Sequence, residues 1–133
     1  MKLKLRGYIF SRSFMGERVP QHIQNIIIKD YCDKNNFNYL LSATEYTMTN
    51  SYSILEKVIC DIDSCDGIVF YSLFQLPENN EIRQHKLKLI LKKKKLIAFA
   101  CERILVSNLE DIIRIENIWQ IKKIIPKCEI IKI

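Results

Sequence analysis

Apolar runs and amphipathic stretches alternate along this chain from its first residues. Tyr8-Ile-Phe-Ser11 is a β-prone apolar run. Pro20 then suits the first turn of a helix, where its missing N–H costs nothing. Ile23, Ile27 and Tyr31 follow four apart on one face, with Lys29, Asp30 and Asp33 elsewhere. Asn35-Asn36 ends that helix, and Asn38-Tyr-Leu-Leu-Ser-Ala43 reads as a second strand. Asn50 to Ser53 offers several caps, and Ser53-Ile-Leu-Glu56 matches a capping box. The helix it opens runs to about Ser64 and turns Leu55, Val58, Ile59 and Ile62 inward. After the Asp66-Gly67 turn, Gly67-Ile-Val-Phe-Tyr71 is nearly all apolar, as expected of a strand covered on both faces. Pro77 opens a third helix that runs through Leu91, and Lys92–Lys95 meets the negative end of its dipole. Leu96-Ile-Ala-Phe-Ala100 is a fourth strand. Ser107-Asn-Leu-Glu110 is a second capping box, starting a helix with Ile112, Ile115, Trp119 and Ile124 as its apolar stripe. Pro126 stops it, and Glu129-Ile-Ile-Lys-Ile133 reads as a short edge strand.

Strand–helix alternation of this kind predicts one α/β domain over residues 1–133: a three-layer α/β/α sandwich on a four-stranded parallel core sheet. The expected sheet order is 2-1-3-4. That places a flavodoxin-like topological switch between strands 1 and 3, where ligands favour the carboxyl ends. With 133 residues, 48% hydrophobic and 27% charged, the composition is that of an ordinary globular domain. No run approaches the roughly 18 apolar residues that suggest a membrane span. Met1-Lys-Leu-Lys-Leu-Arg-Gly7 leads directly into a strand with no small-residue cleavage site, so no signal peptide is read and a cytoplasmic protein is expected.

The net charge of +6 changes this picture little. It is compatible with an anionic partner such as nucleic acid, a nucleotide sugar or phosphate, and equally with heavy use of Ile, Lys and Asn. No Lys/Arg stripe alternates with aromatics, which argues against a nucleic-acid partner. Five cysteines are present, with no Cys-x-x-Cys, and His22 and His85 are the only histidines. Neither a metal site nor a cofactor motif is read from them. The wide apolar stripe of the last helix (Ile112, Ile113, Ile115, Ile118, Trp119, Ile121, Ile124, Ile125) exceeds what one face of a small sheet needs. A homo-oligomer is therefore expected, with cover by the Glu129–Ile133 tail as the alternative.

Candidate chemistry gathers at the carboxyl ends of the strands. Ser11, Arg12 and Ser13 follow strand 1, then Arg18 in the loop and Gln21 and Gln24 on the helix. Thr44, Glu45 and Tyr46 follow strand 2; Tyr71, Ser72 and Gln75 follow strand 3; Glu102 and Arg103 follow strand 4. Arg12 and Arg18 could fork onto phosphate or carboxylate. Glu45 is the best-placed carboxylate for a general base, with Tyr46 and Tyr71 as further catalytic candidates. Ser11, Ser13, Gln21, Ser72 and Gln75 would fix a ligand. Strand ends are also polar simply because they leave the core.

Several strings resemble known families. Arg6-Gly-Tyr-Ile-Phe-Ser-Arg12, Arg18-Val-Pro-Gln-His22, Leu40-Leu-Ser-Ala-Thr-Glu-Tyr46 and Tyr71-Ser-Leu-Phe-Gln-Leu-Pro77 resemble bacterial proteins found sporadically in surface-carbohydrate gene clusters. That resemblance implies lipopolysaccharide, O-antigen or capsule sugar assembly. The layout is also similar, more distantly, to the catalytic domain of serine recombinases (a resolvase-like fold). Phe10-Ser-Arg12 stands where their strand-1 Tyr-x-Arg stands; Gln24, Ile28 and Tyr31 follow their first helix; Glu45 resembles their strand-2 acid; and Leu73-Phe-Gln-Leu-Pro77 resembles their arginine-bearing loop. The departures remove the chemistry. Phe14 occupies the serine's place, with Ser13 one residue early, and Phe74, Gln75 and Glu78 replace the loop's aspartate and arginines. Phosphoryl transfer relies on positioned positive charge, and most of it is missing. A third, weaker likeness is to nucleoside deoxyribosyltransferase-like proteins, whose catalytic glutamate has only Glu81 as a poor counterpart.

Taken together, these readings predict binding of a small anionic carbohydrate or nucleotide sugar, with acid–base chemistry at Glu45 left open. The alternative is a non-catalytic resolvase-like module that binds nucleic acid or a protein partner.

Overall fold

A computed structural model describes residues 2–124 of the chain. Its elements are β1 (Lys4–Phe10), α1 (Gln21–Lys34), β2 (Asn38–Glu45), α2 (Ser53–Cys60), β3 (Gly67–Phe70), α3 (Asn80–Lys92), β4 (Leu96–Phe99), β5 (Ile104–Val106) and α4 (Leu109–Ile124). Single 3-10 turns lie at Ile62–Ser64 and Leu73–Gln75. The sheet order is β2-β1-β3-β4-β5. The first four strands are parallel and β5 returns antiparallel to β4. The expected four-stranded parallel sheet is thus corrected to a five-stranded mixed one. The physical reason is a tight reversal after β4, with Arg103 at positive φ (55°), which lays Ile104 and Val106 into the core and Leu105 outward. A three-residue strand is too short for its alternation to register in the sequence. The edge strand expected at Glu129–Ile133 lies outside the described residues.

Side-chain alternation along β1 divides the core. Leu5 and Ile9 pack with Ile28, Tyr31 and Cys32 of α1, together with Val69 and Ala98. Tyr8 and Phe10 join the opposite and larger cluster with Leu55, Ile59, Phe70, Leu87, Ile90, Ile115 and Trp119, from α2, α3 and α4. On α1 the buried set is Gln24, Ile28, Tyr31 and Cys32, about one position round from the expected Ile23–Ile27 stripe. Gln24 draws the helix round, because its amide has bonds to make at the end of β1.

Helix starts also differ from their sequence signatures. Tyr52, not a serine, precedes α2 and gives no side-chain cap. Asn79 caps α3 by accepting from Ile82 N (2.9 Å), two residues later than Pro77 suggested. At α4 the box is shifted by one residue. Asn108 accepts from Asp111 N (3.1 Å), and Asp111 reaches back to accept from Ser107 N (3.1 Å). Of the lysine run, Lys93 and Lys95 donate to the carbonyls of Ile59 and Cys65, closing the amino-end edge of the sheet.

Candidate functional site

Beyond Phe10 the chain makes a narrow loop with a reversal at its tip. Phe14 and Glu17 exchange backbone hydrogen bonds (2.9 and 3.0 Å) around Met15 and Gly16, both at positive φ. Two positive-φ residues make the turn that matches strand twist, and Gly16 supplies one without strain. The root of the loop is pinned by Gln24. Its amide accepts from Phe10 N (3.0 Å) and donates to the carbonyls of Phe10 and Val19 (2.8 Å each). Gln75, fully buried, donates to Gln24 Oε1 (2.8 Å), which locks the segment after β3 to the same point.

Glu45 is 1% exposed, and both its oxygens are occupied. Oε1 accepts from Tyr8 Oη (2.8 Å) and Leu55 N (3.2 Å); Oε2 accepts from Tyr46 N (3.0 Å) and Ile54 N (3.1 Å). The carboxylate therefore caps α2 from β2, the task expected of Ser53. Its negative charge suits a helix amino end. Burial first, then the Glu45 charge and hydrogen bond, push the Tyr8 hydroxyl far above the usual tyrosine range. With four donors around it, this carboxylate has no lone pair turned to a substrate.

The other expected site residues fall into three groups. Arg12 and Ser13 line a cleft of about 310 Å³ with Phe10, Phe14, Tyr52 and Phe74. Tyr71 and Ser72 line an adjoining cleft of about 190 Å³ with Glu17, Glu102 and Lys122, and the two clefts share Phe14, Met15 and Phe74. Ser11 donates to the Glu45 carbonyl (2.9 Å), tying β1 to β2. Gln75 is buried beside Gln24, and Ser72 donates to Glu102 (2.8 Å) while capping the 3-10 turn at Phe74 N. Arg18 and Gln21 are exposed on the loop and the first turn of α1, and Tyr46 is also exposed. The strand ends thus bring together Arg12, Ser13, Tyr71 and Ser72, but leave Arg18, Gln21 and Tyr46 outside the two clefts.

Arg12 organises the first cleft. Its Nη1 donates to the carbonyls of Tyr46 (2.8 Å) and Met48 (3.0 Å). Its guanidinium lies 4.2 Å from the Phe10 ring centroid and 5.2 Å from that of Tyr52. Phe14 packs edge-on to Phe10 and Tyr71. Phe74 packs against Trp119, with the Lys122 ammonium 5.4 Å from its ring. Tyr71, above the ordinary range because of burial and its Cys101 neighbour, stays protonated at neutral pH. Tyr52, Phe74 and Lys122 were not legible as site residues. They lie in a capping stretch, a 3-10 turn and a distant helix, and only the fold assembles them.

No family model and no curated protein matches the chain. Solved structures do. The fold is similar to the N-terminal catalytic domain of TP901-1 integrase, with TM-score 0.65 and 15% identity over 93% of this chain and 98% of that one. It is also similar to a resolvase family site-specific recombinase from Streptococcus pneumoniae, with TM-score 0.66 and 11% identity over 90% of this chain and 88% of that one. The resolvase-like layout expected from the sequence is therefore present, as a fold. The expected role in surface-carbohydrate biosynthesis is corrected. These neighbours favour the resolvase-like alternative, and nothing in the comparisons supports the carbohydrate-cluster family. Among the described residues, no helix is long and apolar enough to cross a membrane.

Proposed function

We propose that this chain is a non-catalytic, single-strand nucleic-acid-binding module on a resolvase-like fold. The observation that carries this reading is the continuous groove at the carboxyl ends of β1, β2 and β3. In it, Arg12 stands beside the partly exposed ring of Tyr52 and Lys122 beside that of Phe74. Aromatic faces that stack unpaired bases, with cations along the backbone path, are what sequence-tolerant single-strand binding needs. No single run of the sequence carries a basic–aromatic stripe; Arg12, Tyr52, Phe74 and Lys122 reach the groove from separate segments.

The same groove argues against strand exchange. The position that the recombinase resemblance gives to a serine holds Phe14, whose ring is packed between Phe10 and Tyr71. The carboxylate it would share, Glu45, is consumed in capping α2. Purified protein should neither nick supercoiled DNA nor form a covalent adduct through Ser13.

Fluorescence anisotropy with a labelled oligothymidylate tests the binding. Two phosphate contacts predict an affinity that falls about five- to tenfold between roughly 50 and 200 mM salt. Phe74→Ala should weaken binding by about 1–3 kcal/mol through lost stacking. Duplex of the same length should bind less tightly, because its bases are already stacked. Equal affinity for duplex and single strand, indifferent to Phe74→Ala, would contradict the proposal.

A further inference from the structure

The smaller of the two clefts has a chemistry that stacking alone does not use. Its lining holds two carboxylates, Glu17 and Glu102, against one ammonium, Lys122. Glu102 is half-buried and held from two sides. Its Oε2 accepts from Ser72 Oγ (2.8 Å) and its Oε1 from Leu73 N (2.9 Å). Each oxygen therefore meets one donor, where each oxygen of Glu45 meets two. An ionised carboxylate offers about four lone-pair sites, so Glu102 keeps acceptor capacity that Glu45 has spent. Among the described residues Glu102 forms no ion pair. Phe14, Met15 and Phe74 make the wall shared with the larger cleft.

We infer that this cleft reads the base, preferring one that carries an exocyclic amine; the inference rests on the single-strand reading above. Two negative charges against one positive disfavour a phosphate inside the cleft. The neutral base enters it, and the backbone stays with Arg12 and Lys122. The partly exposed Phe74 ring offers stacking to any base, since every base has a π-face. The Glu102 carboxylate discriminates, because it accepts and cannot donate. Cytosine turns its N4 amine, and adenine its N6 amine, to such an acceptor. Uracil and thymine place O4 where cytosine has its amine, and oxygen then faces oxygen. Ser72 does not relieve that mismatch, since its hydroxyl proton is engaged with Glu102. Ser72 and Leu73 also hold the carboxylate in place, so little ordering is lost when a base amine meets it.

Anisotropy of the full chain with labelled oligodeoxycytidylate and oligodeoxyuridylate of one length, at neutral pH, tests this. The two bases differ only at the edge that would meet Glu102. The wild type should bind the cytidylate about five- to tenfold more tightly. Glu102→Gln can still accept from Leu73 N and donate to Ser72 Oγ, but its amide N–H would face the cytosine amine. It should therefore lose the preference. A residue that only braced the fold would change both affinities together and leave their ratio. Adenine against unsubstituted purine repeats the comparison in the larger ring, and tighter binding of the amine-bearing member of either pair supports the inference. Equal affinities within both pairs overturn it while single-strand binding stands. So does a wild-type ratio kept in Glu102→Gln with melting unchanged. No binding of any of the four strands overturns the single-strand reading as well. Where Glu102→Gln fails to fold, the wild-type comparison alone decides.

Discussion

Glu45 shows how much a side chain's surroundings decide its role. In the sequence it is a carboxylate at a strand end, the natural candidate for a base. In the fold it accepts from the Tyr8 hydroxyl and three backbone N–H groups. Glu45→Ala would strand these buried donors, so a loss of about 3 kcal/mol in denaturant unfolding is expected. Glu45→Gln should also destabilise, because an N–H would then face N–H groups. Nothing local to Glu45 announced this, since its partners at Ile54 and Leu55 are backbone atoms. Cys32 supplies a pH test. Burial, with Asp33 adding to it, raises its thiol from 9.0 to about 11. Because the folded value lies above the unfolded one, its contribution is intact below pH 9 and is lost as pH rises through 11. Tyr8, Tyr31 and Tyr52 are raised with the same sign and extend the loss at higher pH. Stability followed by chemical denaturation from pH 8 to 11 should therefore fall, and Cys32→Ala should flatten the part between 9 and 11.

The repeating elements were mostly legible and their junctions were not. Apolar runs and 3.6-residue stripes marked β1 to β4 and the four helices, because burial on both sheet faces imposes those periods. The Ile112–Ile115–Trp119 face of α4 is buried as its spacing predicted, whereas Ile124 is exposed. What escaped was set by tertiary partners: β5, the Glu45 cap of α2, and Arg83. Arg83 is 1% exposed in the first turn of α3. Its guanidinium grips Glu116 of α4 with two nitrogens (2.7 and 2.6 Å) and donates to Pro77 O, Glu78 O and Asn80 Oδ1, while lying 4.3 Å from the Trp119 ring. Five donors in a fixed fork meet five acceptors, a geometry that lysine cannot reproduce. Both Arg83→Ala and Arg83→Lys should therefore destabilise, Arg83→Ala by about 3–5 kcal/mol because Glu116 and two carbonyls lose their partner. Coincident thermal and denaturant midpoints for Arg83→Lys and wild type would contradict this. At the β3–β4 seam, a Cβ added to Gly67 would fall on the Leu96 carbonyl oxygen, which is backbone and cannot swing aside. Gly67→Ala should lower stability by about 1–3 kcal/mol, read from the shift in denaturant midpoint.

For the whole molecule, the sheet order of the first four strands and the location of the groove followed from the alternation of strands and helices. The contents of the groove did not, because Tyr52, Phe74 and Lys122 come from segments whose local patterns describe caps, turns and a helix end. The backbone follows a path similar to that of the recombinase structures, while Phe14 and Glu45 are committed to packing and capping. Chain charge alone could bring nucleic acid to the lysines at the opposite, amino-end edge, so location is the discriminating quantity. The most direct measurement is amide chemical-shift mapping of isotopically labelled protein titrated with a short oligothymidylate. The account predicts perturbations at Ser13–Met15, Thr49–Tyr52, Phe74 and Lys122, with Lys92–Lys95 unmoved. Perturbations concentrated at Lys92–Lys95 with the groove silent, or no perturbation at all, would contradict it.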